Sequence, residues 1–294
     1  MIRAACAAAF ALLAGVAHAG SLPPQGCDRH AATTAEQQHR LLRFAAVVRE
    51  ALEASGTQAA LIARSGTDLS RFGLRYSHAA VALADGLETP WAVRQLYYAC
   101  AERAPRLFDQ GLAGFISGGD DADIGYISVL LLPPEAAAPL AAAALDKPLA
   151  LGLLNARYSA NAYPFSTLYQ NCNQWVAELL AASAAGTTTR VQAQDWLRHE
   201  GYAPAPVHAS PWLMIAGHFV PWLHFDDHPR AALEAGTVQT SLPTSLEAFA
   251  QQRWAGARRL EFCHGPQGIV QRESGEPLAA GCAPREGDRV TGLN

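Results

Sequence analysis

Apolar positions along this chain switch between helical spacing and short unbroken runs, the pattern of a protein that mixes helices with strands. Thr34 followed by Gln37 forms a capping-box pair. Leu41, Leu42, Ala45, Val48 and Leu52 then recur at helical spacing, predicting a helix to about Ala54 with those residues inward. Ala59 to Arg64 is a short apolar run of strand length. Tyr76 to Leu83 and Trp91 to Tyr98, joined through Ala84-Asp85-Gly86, predict a β-hairpin with a long connection. A helical segment is expected around Pro105 to Phe115, stopped by Gly118-Gly119, and then a buried strand over Tyr126 to Leu132. Pro134 to Leu145 reads as a helix with proline in its first turn, kinked or delayed by Pro139.

Further on, Asn171 stands where an N-cap belongs and Gln174 completes a capping-box pattern. Trp175, Val176, Leu179 and Leu180 then share one face, which predicts an amphipathic helix from Cys172 to about Ala185. A second helix runs from Val191 to Glu200 and stops at Gly201. Trp212 to Phe225 is apolar enough for a strand. The C-terminal part holds a short helix near Ser245 to Gln252 and a hairpin of Arg259 to Cys263 with Ile269 to Arg272, turning at Gly265-Pro266. The last dozen residues are polar and are expected to be disordered. The fold class is α+β, with strands gathered around one helix.

Bulk properties narrow the setting. Residues 1–19 have the form of a secretory signal: Arg3, an apolar stretch from Ala4 to Val16, and Ala17-His18-Ala19 as the cleavage site. A soluble periplasmic or secreted protein starting near Gly20 is expected. The apolar stretch is shorter than the roughly 20 residues of a membrane span, and Pro133-Pro134-Glu135 interrupts the other apolar region, so no span is expected elsewhere. The net charge is −4 and the basic residues are scattered, which argues against a nucleic-acid partner.

Export would place the chain where disulfides form. Setting Cys6 aside with the signal leaves Cys27, Cys100, Cys172, Cys263 and Cys282, an odd number. Cys263 with Cys282 could staple a C-terminal loop, and Cys27 with Cys100 could form a second bridge. Cys172 is then left over.

A thiol on the first turn of a helix feels the positive end of the dipole and unpaired N–H groups, which together favour the thiolate. Cys172 is therefore the candidate nucleophile; the competing view is a small buried cysteine that happens to start a helix. A nucleophile of this kind needs a base steadied by a third polar group. His78, set inside the apolar run Ser77-His78-Ala79-Ala80-Val81-Ala82, is the candidate base. Gln95 on the neighbouring strand is the candidate orienting group, with Arg94 as second choice. Asn171 and Gln170 could help the Cys172 N–H hold an oxyanion, although capping alone would account for Asn171. His218 is the rival base. His224, Asp226 and His228 offer a weak metal set whose spacing matches no known motif and equally suits a turn ended by Pro229. No cofactor is expected.

The runs Tyr76 to Ala82, Phe165 to Trp175 and Asp226-Asp227-His228-Pro229 together resemble an uncharacterised family of exported bacterial proteins, domain of unknown function 2145. More distantly, a histidine on a strand followed much later by a cysteine at a helix start is similar to the circularly permuted branch of NlpC-like, papain-type hydrolases and acyltransferases. That resemblance implies a papain-like core of residues 20–229, with a small antiparallel sheet packed on the cysteine helix and residues 230–294 as an extension packed on it. It implies His78 as base and Cys172 as nucleophile, acting on an amide or ester bond, with the cell envelope as the expected source of substrate. The alternative is a non-catalytic binding protein that keeps the cleft, with Trp91, Trp175, Trp212 and Trp222 as core or ligand-stacking surfaces. A redox role lacks a Cys-x-x-Cys motif.

Overall fold

The computed structural model describes residues 33–273 and 275–292; the expected signal segment, with Cys6, and Cys27 lie outside the described residues. In chain order the first half contains α1 (Ala35–Ser55), β1 (Ala59–Arg64), β2 (His78–Leu83), β3 (Ala92–Ala99), β4 (Ala104–Gly111), α2 (Leu112–Ile116), β5 (Gly125–Leu131), α3 (Pro134–Leu145) and α4 (Lys147–Gly152). The second half contains α5 (Cys172–Ala185), α6 (Arg190–His199), β6 (Ala205–His208), α7 (Pro211–Gly217), α8 (Arg230–Glu234), β7 (Thr237–Thr240), α9 (Pro243–Arg253), β8 (Arg258–Gly265), β9 (Gly268–Glu273) and β10 (Arg289–Thr291).

Eight of the strands form one sheet in the order β10-β9-β8-β5-β1-β2-β3-β4, and every pairing in it is antiparallel. The small sheet expected from the resemblance is thus a large one. The C-terminal residues do not sit on it as an extension: β8 pairs with β5 along its whole length and β9 and β10 follow. β10 also gives a strand to the stretch expected to be disordered.

The sheet separates two cores. Alternate residues Ala79, Val81 and Leu83 of β2 meet α5, where Trp175 and Leu179 are fully buried. Ala80 and Ala82 point the other way, toward α1 and α2. This is the strand period of two sorting side chains to opposite faces. Truncating Trp175 would remove about 3–5 kcal/mol, the usual cost of an aromatic-to-alanine change in a core. Thr34 and Gln37 form the predicted capping box at α1, but Leu42 turns to solvent and Phe44 takes the inward place. The α3 helix runs unbroken through Pro139.

Two elements differ from the expected ones. The segment near 105–115 is mostly β4, an edge strand whose mixed burial hides its alternation, with α2 after it. The stretch from Trp212 to Phe225 is the α7 helix, capped by Ser210 and opened by Pro211, followed by turns. Its apolar residues face both inward and outward, so no period marks it.

Cys263 and Cys282 form the expected disulfide, which pins β8 to the turn before β10. Cys100 is disulfide-bonded as well. Cys172 is the free cysteine among the described residues. No helix among those residues is long and apolar enough to cross a membrane.

Candidate functional site

The site grows out of a split in the sheet. β2 pairs with β3 only over Ala92–Arg94, whereas β1–β2 and β3–β4 stay paired along their full lengths. Beyond Val81 and Arg94 the two halves part, and the start of α5 enters the gap. Asn173 closes it. Its Oδ1 accepts the Ala79 N–H at 2.8 Å, and its Nδ2 donates to the carbonyls of Ser77 at 3.1 Å and Ser241 at 3.0 Å. One side-chain amide thereby takes the place of a strand neighbour and satisfies main-chain groups that would otherwise be buried unpaired.

The first turn of α5 is held from several directions. Asn171 is its N-cap, accepting the Gln174 N–H at 2.7 Å, while its Nδ2 donates to Ala160, Thr240 and Ser241. The capping box is half complete, because the Gln174 amide points instead to Pro164, Ser166 and Glu178. Gln170 turns inward: it accepts the Asn155 N–H and donates to Leu153 and Glu178. Neither Asn171 nor Gln170 therefore has an amide left for an oxyanion, and both act as scaffold. Glu178, fully buried, gathers Arg190 in two hydrogen bonds together with Gln170, Gln174 and Gln194. Burial pushes its carboxyl above the usual range, and the Arg190 guanidinium pulls it back.

His78 and Gln95 come together as expected: His78 Nε2 lies 2.5 Å from Gln95 Oε1. Both follow the parity of Ala80, on the face of the sheet toward α2, and the imidazole lies 5.9 Å from the Phe115 ring. With Nε2 held by an amide oxygen, Nε2 carries the proton and Nδ1 is the nitrogen left to accept one. Arg94, the second choice, is taken by Asp109 and the Ala144 carbonyl.

Cys172 belongs to the core on the other face, yet it and His78 line one cleft of about 590 Å³ that opens at the split. The thiol lies near the N–H groups of Asn173, Cys172 and Ala79. Among the described residues no hydrogen bond joins it to His78; its weak contact is with Asn173 Oδ1, at 3.7 Å. The expected low pKa is not found. Burial pushes the thiol up to about 12, against the opposing pull of the Asn173 N–H, the Arg64 charge and the other two N–H groups. Burial also drives the His78 ring down to about 3, helped by Arg64 and opposed by Gln95. Both groups rest uncharged at neutral pH.

Sequence reasoning passed over two residues here. Arg64, opposite His78 in the β1–β2 ladder, donates to the Phe115 carbonyl at 2.7 Å and places its charge near both reactive side chains. Its guanidinium lies flush against Gly118, where a Cβ would sit 1.7 Å from Nη1, so a larger residue there would push the Arg64 head out of its place. Asn173 was the other; its only sequence signal is a second amide flanking the cysteine.

The remaining candidates lie elsewhere. His218 is exposed, bonded through Nδ1 to the Met214 carbonyl and stacked on Phe225. His224 stacks flat on Tyr169, whose hydroxyl donates to Asp226 at 3.2 Å. His228 is buried, 2.8 Å from the Asn161 carbonyl and 3.5 Å from Asp227. These contacts clamp the chain just before Cys172, and among the described residues no three His, Cys, Asp or Glu side chains converge as a metal site. Of the tryptophans, Trp91 and Trp175 are core, Trp212 is exposed and Trp222 lines the cleft.

Comparison with curated proteins and with solved structures found no match to this chain. A family model described as an uncharacterized protein conserved in bacteria, DUF2145, matches residues 51–250, which takes in the split, the cleft and the cysteine helix. The chain belongs to that family.

Proposed function

We propose that this protein is an exported thiol hydrolase or acyltransferase acting on an ester or amide bond, with Cys172 as nucleophile and His78 as base. The observation that carries this reading is the cleft itself: a free cysteine on the first helical turn and a histidine steadied by Gln95 line the same opening. A helix-start cysteine against a strand that begins with histidine is also the feature that supports a papain-like, permuted NlpC-type core. Export is supported by the form of residues 1–19 and by the Cys263–Cys282 disulfide, a bond of oxidising compartments.

Because both groups rest neutral, proton transfer accompanies attack. The Cys172 sulfur bonds to the carbonyl carbon as its proton passes to His78 Nδ1. The N–H groups of Cys172 and Asn173 are placed to hold the developing oxyanion, which is worth about 100- to 1,000-fold per well-placed donor. Collapse expels the alcohol or amine, which takes the proton from His78 and leaves an acyl-thioester. Water or an acceptor then attacks that thioester with His78 again as base, restoring the thiol.

The test is turnover of a panel of esters and amides alongside mass-mapped acylation of Cys172. Cys172→Ala should abolish both, and His78→Ala should lower turnover by about 100-fold or more. If Cys172 is never acylated and no member of the panel is turned over, this reading falls. A second reading, a non-catalytic binding protein, is favoured by the buried, neutral state of the thiol. It expects the same cleft to bind ligand with Cys172 inert.

A further inference from the structure

Several of the polar side chains that line the cleft are already engaged with the protein. Asn161 bonds through Oδ1 to Ser159 and the His224 N–H, and through Nδ2 to the His224 carbonyl. Thr240 accepts from Asn171 and donates to the Ala162 carbonyl. Ser77 accepts the Gly66 N–H, and both ends of the Asn173 amide are occupied. An extended peptide brings one donor and one acceptor per residue and would meet few partners here.

What the cleft does offer is apolar surface, including Leu74, Leu96, Leu213, Met214, Trp222 and Phe225. Its charge is one-sided: among the described residues Arg64 and Arg71 line it and no carboxylate does. Arg71 is exposed, lying over the Phe72 ring. The wall made by α7 and the turn after it carries no Asp, Glu, Lys or Arg from Ala209 to Phe225. It is apolar outward as well as inward, with Trp212 80 % and Phe219 83 % exposed. A volume of about 590 Å³ is that of a small-molecule site.

We infer that the cleft binds a long acyl chain beneath an anionic head, the chain against α7 and the head toward Arg71. As substrate class this rests on the thiol-hydrolase reading, with the acyl carbonyl presented to Cys172. As binding chemistry it stands apart from it. An apolar body gains from leaving water without requiring hydrogen-bond partners, and a basic rim selects the sign of the head.

The experiment uses folded Cys172→Ser protein and the fluorescence of a dansyl-labelled long-chain fatty acid. Unlabelled palmitate, lysophosphatidylglycerol and a neutral monoacylglycerol compete, and a dansyl-labelled peptide serves as comparator. Displaceable binding that strengthens with chain length is expected, and the better anionic competitor tells whether the head is that of a free acid or a phospholipid. Met214→Glu, which sets a charge against the chain, should weaken binding by about tenfold or more. Arg71→Gln, an exposed change that the fold tolerates, should cost the anionic competitors about threefold relative to monoacylglycerol. Absence of displaceable acyl binding by folded protein, tighter binding of the peptide, or indifference to Met214→Glu would overturn the inference. Acyl binding with wild-type Cys172 inert to acylation would uphold it and remove the hydrolase reading. Turnover of short esters without acyl binding would do the reverse.

Discussion

Glu178 and Cys172 lie less than two turns apart on α5, both buried, and they meet burial in opposite ways. Around Glu178, Arg190 and three glutamine amides converge, so a charge can be kept inside the protein because each of its lone pairs has a donor. Around Cys172 there are main-chain N–H groups and a distant positive charge but, among the described residues, no side-chain partner for a thiolate, and the group stays neutral. The middle of the helix is fixed by a donor-rich polar network so that its first turn can carry a reactive group whose partners are incomplete. A site that must accept an oxyanion or a ligand has to leave something unmatched, and the rigidity needed to do so comes from the neighbouring hub.

Breaking the donor-rich side should have the largest effect. Glu178→Ala leaves Arg190 buried without its carboxylate and should cost about 3–5 kcal/mol in urea unfolding, the usual penalty for removing one partner of a buried pair. A loss below about 1 kcal/mol would show that water reaches the hub and that the contrast with Cys172 is not one of burial. Asn173→Ala comes next. It strips the Ala79 N–H and the Ser77 carbonyl of their partner and should cost about 1–3 kcal/mol. A β2 that fails to loosen in hydrogen exchange would mean that the split is closed by other contacts.

Taken per pH unit, the smallest effect concerns protons. The folded His78 ring titrates near 3, below its ordinary 6.5, so between those values the unfolded chain binds the extra proton. This group therefore lowers stability as pH falls through that window, by at most about 1.4 kcal/mol per pH unit. His78→Gln should flatten the fall in melting temperature between pH 6.5 and 4 relative to the wild type. An unchanged slope would show that the ring is solvated in the folded protein and that its neutrality has another origin.

Much of the frame was legible because its signals are local. Thr34 and Gln37 cap α1 as read, Asn171 caps α5, and the neighbouring strand read over Trp91 to Tyr98 supplied Gln95, which lies beside His78. The misses have physical reasons. β4 is an edge strand with weakly sorted faces, and α7 is apolar all round, so neither displays a period. The split between β2 and β3 depends on register, which no local pattern encodes, and with it went the part played by Asn173. The resting protonation of Cys172 was misjudged because the position on the helix was visible and the depth of burial was not.

The pairing of β8 with β5 has a consequence for how the chain is made. The strand that covers the outer edge of β5 is not synthesised until residues 258–265, long after β1 and β5 are complete, and the stretch matched by the family model stops before it. A nascent or truncated chain ending near residue 250 would carry an apolar strand, Gly125–Leu131, with one row of main-chain donors and acceptors unpaired. Such an edge is a template for association with other copies. The C-terminal hairpin thus guards against aggregation as well as finishing the sheet, and boundaries drawn by family similarity alone would cut it away.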